Sequence, residues 1–437
     1  MKTVLFIFYF MFFIFCESFS QTGWFPLNSG TTVNLSKIQF VNSQTGWAGG
    51  FQSLPTRFAF IKTTNAGASW FDQTINFPTG NRILSLFFIN ANTGWVAGVE
   101  GLFKTTNGGA NFSAASIIPC NECYFTDAFT GWVACIPVSP ALLKTTNGGI
   151  SWDTQSVSIG QNEQLYNIRF LNSLTGYCSG YTSIIKTTNG GTNWITQPHP
   201  YCSNIHCLYA ISPEEVRVSG DSGIILSTSN GGTNWLSKNI GYNCAVRSLF
   251  FINSSTGYAV TSSAPKILKT TNGGTNWYTQ FTDTAYMFNG IFFNSSDTGY
   301  VCGSNGSVYK TTNGGTIGIK KINETVPEVF NLFQNYPNPF NPTTKIKFEI
   351  PPFNPPLAKG GNGGVVTLKV YNILGKEIAT LVNEIQSPGT YEVTFDARLH
   401  GQGSKLASGI YYYTLTVKND GIPGLVFINT RKMVLLK

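Results

Sequence analysis

A repeat of about 41 residues runs through most of the 437-residue chain and limits the folds open to it. The tripeptide Thr-Thr-Asn, or a close variant, recurs at intervals of 40–42 residues. Its asparagines are Asn65, Asn107, Asn147, Asn189, Asn230, Asn272 and Asn313. A Thr-Gly-Trp or Thr-Gly-Tyr step precedes six of the seven copies, and Glu215-Val216-Arg217 replaces it in the fifth. Seven copies of this length predict the seven blades of a β-propeller.

The sixth copy shows how each unit divides into strands. Its β-rich runs are Val246–Ile252, Gly257–Thr261, Lys266–Thr270 and Trp277–Phe281, and turn residues separate them. Short runs bounded by Asn, Gly and Ser are typical of antiparallel hairpins. Aromatics make up 14% of the chain and charged residues only 11%, which suits such strands. We therefore predict an all-β, seven-bladed propeller with four-stranded blades.

The Asn-Gly-Gly step predicts a tight turn before the fourth strand. An Asn side chain can bond to backbone N–H groups two residues on, and glycine adopts positive φ at little cost. Five residues after the Asn, an aromatic is expected to pack against the sheet. With Trp24 included, these blade aromatics are Trp24, Trp70, Phe112, Trp152, Trp194, Trp235 and Trp277.

The two ends of the repeat array complement each other. The seventh copy has no aromatic after Asn313, whereas Trp24-Phe25-Pro26-Leu27 precedes the first full unit. We predict that the strand around Trp24 closes the ring as the outer strand of the last blade. An open solenoid would not explain why one end lacks the strand that the other has in excess.

The repeat resembles known propeller motifs. Residues Thr270–Trp277 match the Asp-box S/T-x-D-x-G-x-x-W of sialidases and related propellers, with Asn in place of Asp. The longer unit resembles the photosystem II assembly and stability factor family over about residues 24–316. The resemblance implies the architecture and a structural role for the Asn turns, and it says little about function.

The N-terminus reads as an export signal. Lys2 precedes the apolar stretch Val4–Phe15, which is too short to span a bilayer comfortably, and small Ser18 and Ser20 follow. We predict a signal peptide over residues 1–20 and no transmembrane segment in the mature chain. A lipoprotein would need acylation at Cys16, which the bulky residue before it disfavours.

The period is lost after the propeller, predicted over residues 21–316. Residues 317–331 read as a linker, and residues 332–437 as a small Ig-like β-sandwich of six or seven strands. The strand-like runs include Val365–Tyr371, Glu377–Val382, Thr390–Phe395, Ile410–Val417 and Lys432–Leu436. The glycine-rich and proline-rich residues 351–364 are expected to form an inserted loop.

Four motifs in this segment closely resemble the C-terminal sorting domain of type IX secretion cargo: YPNPFNP at 336–342, VYNILG at 370–375, LASGIY at 406–411 and KMVLLK at 432–437. The residues that carry the motif are Tyr336, Pro337, Asn338, Pro339, Phe340, Gly375, Gly409, Lys432 and Lys437. The resemblance implies a Gram-negative bacterium, the secretion machinery as a partner, removal of the tail, and release or surface attachment.

The charge distribution disfavours a nucleic-acid partner. The formal charge is +8, and the basic residues are spread along the repeats without a cluster. A lysine precedes the Asn by three residues in six repeats, at Lys62, Lys104, Lys144, Lys186, Lys269 and Lys310, with Ser227 in the fifth. These lysines could form a basic ring for an acidic partner, but covering the third strand and keeping it soluble is the favoured interpretation.

Eight cysteines follow the signal peptide. Cys135, Cys178 and Cys302 read as buried strand residues. Cys120 with Cys123, and Cys202 with Cys207 or Cys244, are candidate disulfides in an exported protein. A zinc site from Cys120, Cys123, Cys202, Cys207 and His206 is the alternative, although the two halves lack a known ligand spacing. We predict no metal and no cofactor.

A secreted glycosidase, sialidase-like or of another kind, is the alternative to a non-enzymatic binding or scaffold module. It would need two carboxylates across the scissile bond, or an arginine cluster with a Tyr–Glu pair. The acids are Asp72, Glu100, Glu122, Asp127, Asp153, Glu163, Glu214, Glu215, Asp221, Asp283 and Asp297, mostly in turns. The arginines are Arg57, Arg82, Arg169, Arg217 and Arg247, of which Arg82 and Arg247 begin inner strands and could either face the axis or cap strand ends.

Histidine offers little for general base catalysis, because only His199 and His206 lie in the propeller and a structural role is favoured for both. We expect no catalytic residues and a protein or glycan ligand. Binding is expected at the segments that depart most from the repeat. These segments are Phe51–Phe58, Cys120–Asp127, Ile136–Pro140 and Pro198–Cys207.

Overall fold

The computed structural model describes residues 23–436 except 54–55, 78–81, 137–141, 158, 161–162, 201, 203, 284, 316–319, 324–325, 353–363, 387, 398–405 and 420–424. The predicted signal peptide and most of the predicted inserted loop lie outside these residues. Antiparallel strands form almost all of the regular secondary structure among the described residues. Its helical elements are three short 3-10 turns at Thr74–Asn76, Asp221–Gly223 and Ser304–Gly306. None of the described helices could span a membrane.

Seven four-stranded antiparallel sheets form the blades of the propeller. From the axis outward, blade 1 consists of Lys37–Phe40, Gly46–Ser53, Thr56–Thr63 and Phe71–Asp72, and blade 2 of Ile83–Phe88, Gly94–Gly98, Gly101–Thr105 and Ser113–Ser116. Blade 3 consists of Cys120–Phe125, Gly131–Cys135, Leu142–Thr145 and Asp153–Thr154, and blade 4 of Leu165–Phe170, Gly176–Gly180, Ile184–Thr187 and Ile195–Thr196. Blade 5 consists of Cys207–Ala210, Val216–Ser219, Ile224–Thr228 and Leu236–Asn239, and blade 6 of Val246–Phe251, Gly257–Thr261, Lys266–Thr270 and Tyr278–Thr282. Blade 7 consists of Phe288–Phe293, Gly299–Gly303, Val308–Thr311 and Phe25–Leu27.

The N-terminal strand closes the ring. Phe25–Leu27 pairs antiparallel with Val308–Thr311 and supplies the outer strand of blade 7. Trp24, just before this strand, is fully buried and packs edge-on against Phe293 at 5.8 Å between ring centroids. The predicted closure is therefore confirmed, and the first and last blades are joined by backbone hydrogen bonds rather than by side chains alone.

Each Asn turn is built by side-chain to backbone hydrogen bonds. In blade 3, Asn147 Oδ1 accepts hydrogen bonds from the Ser151 N–H at 3.0 Å and from the Thr145 hydroxyl at 2.9 Å. The Thr145 oxygen in turn accepts the Gly149 N–H at 2.9 Å. Gly148 and Gly149 both have positive φ, as predicted. The Asn therefore bonds four residues on rather than two, and the same bond recurs in blades 1, 2, 4, 5 and 6.

Aromatic stacking joins neighbouring blades. The ring of the Thr-Gly-Trp or Thr-Gly-Tyr step lies flat on the phenylalanine that ends the inner strand of the next blade. Centroid separations are 3.5–4.0 Å for Trp47–Phe88, Trp95–Phe125, Trp132–Phe170, Tyr258–Phe293 and Tyr300–Phe40. Each such pair contributes about 0.5–1.5 kcal/mol beyond its buried area. The same stacking contact thus stabilises five of the seven interfaces between neighbouring blades, here called seams.

Most of the blade aromatics contact these phenylalanines edge-on rather than flat. Trp24, Trp70, Trp152, Trp194 and Trp277 meet the inner-strand phenylalanine of their own blade edge-on, at 5.8–6.2 Å. Phe112 instead stacks on Phe77 at 4.0 Å, and Trp235 lies in a core cluster with Leu226. In five blades the inner-strand phenylalanine therefore meets the blade aromatic edge-on.

The tail forms the predicted small β-sandwich, with eight strands in two sheets. One sheet contains Lys320–Asn323, Asn331–Leu332, Thr343–Ile350 and Gly389–Asp396, and the other contains Gly364–Asn372, Glu377–Gln386, Gly409–Asn419 and Leu425–Leu435. Side chains of both sheets, such as Phe348 and Leu368, share one core.

The structure corrects the predicted linker. Within residues 317–331, Lys320–Asn323 pairs with Gly389–Asp396, and Asn331–Leu332 pairs with Thr343–Ile350. A segment predicted to connect two domains thus adds two strands to the sandwich. Backbone hydrogen bonds to the neighbouring strand make Lys320–Asn323 a strand, because its sequence has no alternation of polar and apolar residues that would indicate one.

Candidate functional site

The strand connections emerge at the two ends of the propeller. Turns that join first to second and third to fourth strands share one end, because strand direction alternates in an antiparallel sheet. The other end, here called the loop face, carries the second-to-third connections and the links between blades. Phe51–Phe58 and the described part of Pro198–Cys207 reach this face. In Ile136–Pro140 only Ile136 is described, and it begins a loop-face connection.

The fourth divergent segment, Cys120–Asp127, is not a loop. Cys120–Phe125 is the inner strand of blade 3, and Asp127 lies in the following turn. A bulge at Asn121 shifts the register of this strand against its neighbour. The same register shift occurs at the equivalent position of blades 2, 4, 6 and 7, but in blade 3 the residue after it is an acid, Glu122, which lines the axial cavity.

Inner strands of all seven blades line a cavity of about 280 Å³ on the propeller axis. One residue per blade stands opposite the aromatic of the Thr-Gly-Trp or Thr-Gly-Tyr step, or its replacement in blade 5. These register-equivalent residues all line the cavity: Gln39, Phe87, Tyr124, Arg169, Tyr209, Phe250 and Phe292. Five of the seven are aromatic, so the belt offers flat apolar surface with one amide and one guanidinium.

An ion triad crosses the cavity. Glu122 Oε1 accepts hydrogen bonds from Lys37 Nζ at 3.0 Å and lies 3.2 Å from Arg169 Nη1. Its other oxygen, Oε2, accepts the Ile168 N–H at 2.9 Å. The Arg169 guanidinium also lies 5.6 Å from the centre of the Tyr124 ring. The triad thus joins blades 1, 3 and 4 and leaves one positive charge in excess.

The Glu122 carboxylate is held in its ionised form. Burial alone would raise its pKa, but Arg169, Lys37 and the Ile168 N–H together bring the pKa below the ordinary glutamate value. Burial likewise opposes the charge on Arg169, and Glu122 leads the groups that raise its pKa. The carboxylate therefore serves as a counter-ion and is not poised to donate a proton.

No second carboxylate lines the described cavity, so the acid pair of a glycosidase is not assembled there. Two of the other acids are bound by backbone N–H groups of nearby turns and connections. Asp127 Oδ1 accepts the Phe129 and Thr130 N–H groups of its turn. Glu163 is buried and accepts the N–H groups of Thr182 and Ser183 in a loop-face connection.

The arginines are dispersed. Arg169 alone of the arginines lines the described cavity, whereas Arg82 and Arg247, which could have faced the axis, are exposed and do not line it. Arg217 is buried between blades, with its guanidinium 5.5 Å from the centre of the Phe251 ring. Arg57 is exposed on the second-to-third hairpin of blade 1.

A polar cluster lies on the loop face between blades 5 and 6. Asp221 accepts hydrogen bonds from the Asn204 amide at 2.6 Å, and its other oxygen lies 2.7 Å from His206 Nε2. His206 Nδ1 lies 3.4 Å from Arg247 Nη1. The His206 ring thus has a partner at each nitrogen, as the structural interpretation predicts. His199 is half-buried, and its Nδ1 lies 2.8 Å from the neighbouring Pro200 carbonyl oxygen.

The repeated lysines neither form a free basic ring nor simply cover the third strand of each blade. Each ammonium lies 5.3–5.6 Å from the ring of the Thr-Gly-Trp or Thr-Gly-Tyr step. Each also donates to a carbonyl oxygen in the Asn turn of the next blade, at 2.8–3.1 Å. In blade 5, Ser227 stands opposite Arg217, whose guanidinium packs against Phe251 of blade 6 and donates to the Thr228 carbonyl oxygen of its own blade. These lysines are therefore links between blades.

The eight cysteines after the signal peptide are buried free thiols in the structure. None of the candidate disulfides is formed, and the two halves of the candidate zinc site lie on blades 3 and 5. In the described part of the chain, no three His, Cys, Asp or Glu side chains are grouped to hold a metal ion.

The sorting motif is built around the C-terminal strand. The Phe340 N–H donates to Val434 O at 2.9 Å, and Asn338 Oδ1 accepts the Val434 N–H at 2.9 Å. Phe340 is buried, whereas Tyr336, Pro337 and Pro339 belong to an exposed turn. Gly375 has positive φ in a hairpin, Gly409 begins a strand, Lys432 lies in the last strand, and Lys437 is outside the described residues.

Two parts of the chain match known families. Residues 114–242 match the model of photosynthesis system II assembly factor YCF48, and residues 334–423 match the model of the secretion system C-terminal sorting domain. A comparison with curated proteins gave no match.

Solved structures share the fold at low identity. YCF48 bound to D1 peptide aligns with a TM-score of 0.56 and 17% identity, over 67% of this chain and 97% of that chain. PorZ, a surface component of the type-IX secretion system of Porphyromonas gingivalis, gives 0.54 and 12%, over 94% of this chain and 60% of that chain. A catalytically inactive virginiamycin B lyase from Staphylococcus aureus with quinupristin gives 0.54 and 11%, over 66% and 98%.

These neighbours show the fold alone, and they include both an assembly factor and a lyase. The sorting domain indicates export to the cell surface or secretion. The chain is thus an exported protein in which a seven-bladed propeller similar to YCF48 precedes a type IX secretion C-terminal sorting domain.

Proposed function

We propose that the propeller is a non-enzymatic binding or scaffold module that acts at the cell surface or after secretion. Its ligand is a glycan or a protein, bound at the loop face and the open end of the axial cavity. The sorting domain brings the chain to the secretion machinery and takes no part in ligand binding.

The main support is the state of Glu122. It is the one acid of the described cavity lining, and both its oxygens are occupied by Lys37, Arg169 and a backbone N–H. A hydrolase needs an acid and a base that are free to exchange protons with substrate. The belt of five aromatics, in contrast, gives a surface on which a sugar ring or an apolar side chain can stack.

A glycan and polysaccharide screen on the purified exported protein tests this proposal, with released products followed beside binding. A variant in which Phe51–Phe58 is shortened to an Asn-Gly turn should lose binding. Ser254→Ala, on the opposite end of the propeller, should keep it. Binding that survives the loop replacement would contradict the assigned face, and a glycan-negative screen with a captured protein would identify the second ligand class.

A further inference from the structure

The inner and second strands of blade 3 bring two cysteines face to face. Cys120 and Cys135 are direct partners in the antiparallel register of Cys120–Phe125 and Gly131–Cys135. In the described strands the other cysteines face different residue types: Cys123 faces Val133, Cys178 faces Ile168 and Ile185, Cys207 faces Ser219, and Cys302 faces Gly290 and Val308. The remaining two, Cys202 and Cys244, lie outside strands.

The hydrogen-bond pattern shows what kind of pair this is. The Ile136 N–H donates to Pro119 O at 2.8 Å, and these two residues lie immediately beyond Cys135 and before Cys120. An antiparallel pair flanked in this way is a non-hydrogen-bonded pair, with Cα atoms about 4.5 Å apart and side chains close together. A disulfide needs Cα atoms about 4.4–6.8 Å apart. The backbone of blade 3 therefore already has a spacing that a disulfide can bridge.

The neighbouring thiol Cys123 is less well placed. The bulge at Asn121 brings Cys123 to the same face as Cys120 and Cys135, and all three share one buried cluster with Trp95. Cys123, however, is opposite Val133 and only diagonal to Cys135, and diagonal pairs are about 7–8 Å apart. Direct opposition favours Cys120 with Cys135 over either pair that includes Cys123.

We propose that Cys120 and Cys135 form a disulfide in the exported protein. The two thiols lose two protons and two electrons, and a disulfide-bearing thiol oxidoreductase accepts them and becomes a dithiol. Export takes the chain through an oxidising compartment where such exchange occurs. Both thiols are fully buried in the folded protein, so the bond forms before blades 2 and 3 pack together.

The position of the bond connects it to the cavity. The bulge at Asn121 turns Glu122 away from the cysteine face, toward Arg169 and the axis. A covalent link at Cys120 fixes the strand immediately before this bulge. The disulfide therefore holds the segment that carries the counter-ion of the cavity.

Peptide mapping of the full exported chain tests the proposal directly. The protein is denatured without reductant, its free thiols are alkylated, and the digest is searched for linked peptides. We expect one peptide pair joining Cys120 to Cys135, with both residues protected from alkylation until reductant is added. Alkylation of either residue before reduction, or a link from either one to another cysteine, would overturn the proposal.

Thermal unfolding gives a second readout. Because the bond is buried, the protein is unfolded and refolded with or without reductant; refolding in reductant should lower the melting temperature of the wild-type chain by several degrees and leave that of Cys120→Ser/Cys135→Ser unchanged. Cys178→Ser, which removes a buried cysteine with no cysteine opposite, should keep the full response to reductant. A wild-type melting temperature that ignores reductant would contradict the disulfide even if the double variant failed to fold.

Discussion

The ammonium of Lys310 donates a 2.9 Å hydrogen bond to the carbonyl oxygen of Ala66 and so joins the last blade to the first. The same ammonium lies 5.4 Å from the centre of the Tyr300 ring, which itself stacks on Phe40. Burial lowers the pKa of Lys310, in keeping with an amine enclosed at the seam. Side-chain contacts thus repeat at the closing seam the arrangement found between the other blades.

Replacing this lysine should weaken the closure. Lys310→Met keeps the apolar stem but leaves the Ala66 carbonyl without its charged donor, which should lower the free energy of unfolding by about 1–2 kcal/mol. Lys238→Met, on an exposed outer strand, is the control and should have no measurable effect. Denaturant unfolding of the two variants tests this prediction. Equal free energies of unfolding would show that the seam does not depend on the hydrogen bond from Lys310.

Removing the charge of Glu122 should destabilise the propeller core. Glu122→Gln leaves Lys37 and Arg169 facing each other without a counter-ion, at an expected cost of about 2–4 kcal/mol. Glu377→Gln breaks a pair with Lys369 that is largely exposed, and it should cost less than about 1 kcal/mol. Similar unfolding free energies for the two variants would contradict the role of the triad.

The His206 cluster should make stability depend on pH. Burial lowers the pKa of the His206 ring, the Arg247 charge lowers it further, and Asp221 opposes both. Because the unfolded ring binds a proton at higher pH than the folded ring, stability should fall as the pH drops through about 6.5. Between pH 8 and pH 5 the melting temperature of the wild type should fall more than that of His206→Gln. His199→Gln, which lies outside the cluster, should follow the wild type, and three parallel curves would refute the assignment.

The hairpin of the VYNILG motif should matter for export rather than stability. Ile373 and Leu374 are 68% and 85% exposed at the turn that follows the strand residues of the motif. We expect Ile373→Ser/Leu374→Ser to fold normally but to reach the medium or the cell surface at a several-fold lower level. Ile428→Ser, also exposed on the sandwich, is the matched control. Normal export of the double variant would remove this hairpin from the recognition surface.

Local chemistry made the propeller predictable. Turn residues at fixed spacing set the strand ends, and the missing aromatic after Asn313 indicated the closure by the strand after Trp24. The strand Lys320–Asn323 could not be predicted, because only its pairing with Gly389–Asp396 makes it a strand. The sandwich therefore begins earlier than the sequence pattern suggests.

The cavity could not be predicted from the sequence, for a related reason. The contacts of Glu122 with Lys37 and Arg169 bring together residues from three blades, and a repeat pattern does not show which positions of different blades meet. The bulge at Asn121, which shifts the register just before Glu122, also has no clear local signal. The lysine links could not be predicted either, because they depend on where the turn of the next blade lies, and that position is set by the packing of the whole ring.

Turnover of aryl glycosides, sialosides included, by the purified exported protein between pH 4 and pH 8 tests the central claim most directly. Because the one acid of the described cavity lining is bound to Lys37 and Arg169, we predict no release of product above the level of Glu122→Gln. Release of product by the wild type that Glu122→Gln abolishes would contradict the claim and make the propeller a glycosidase.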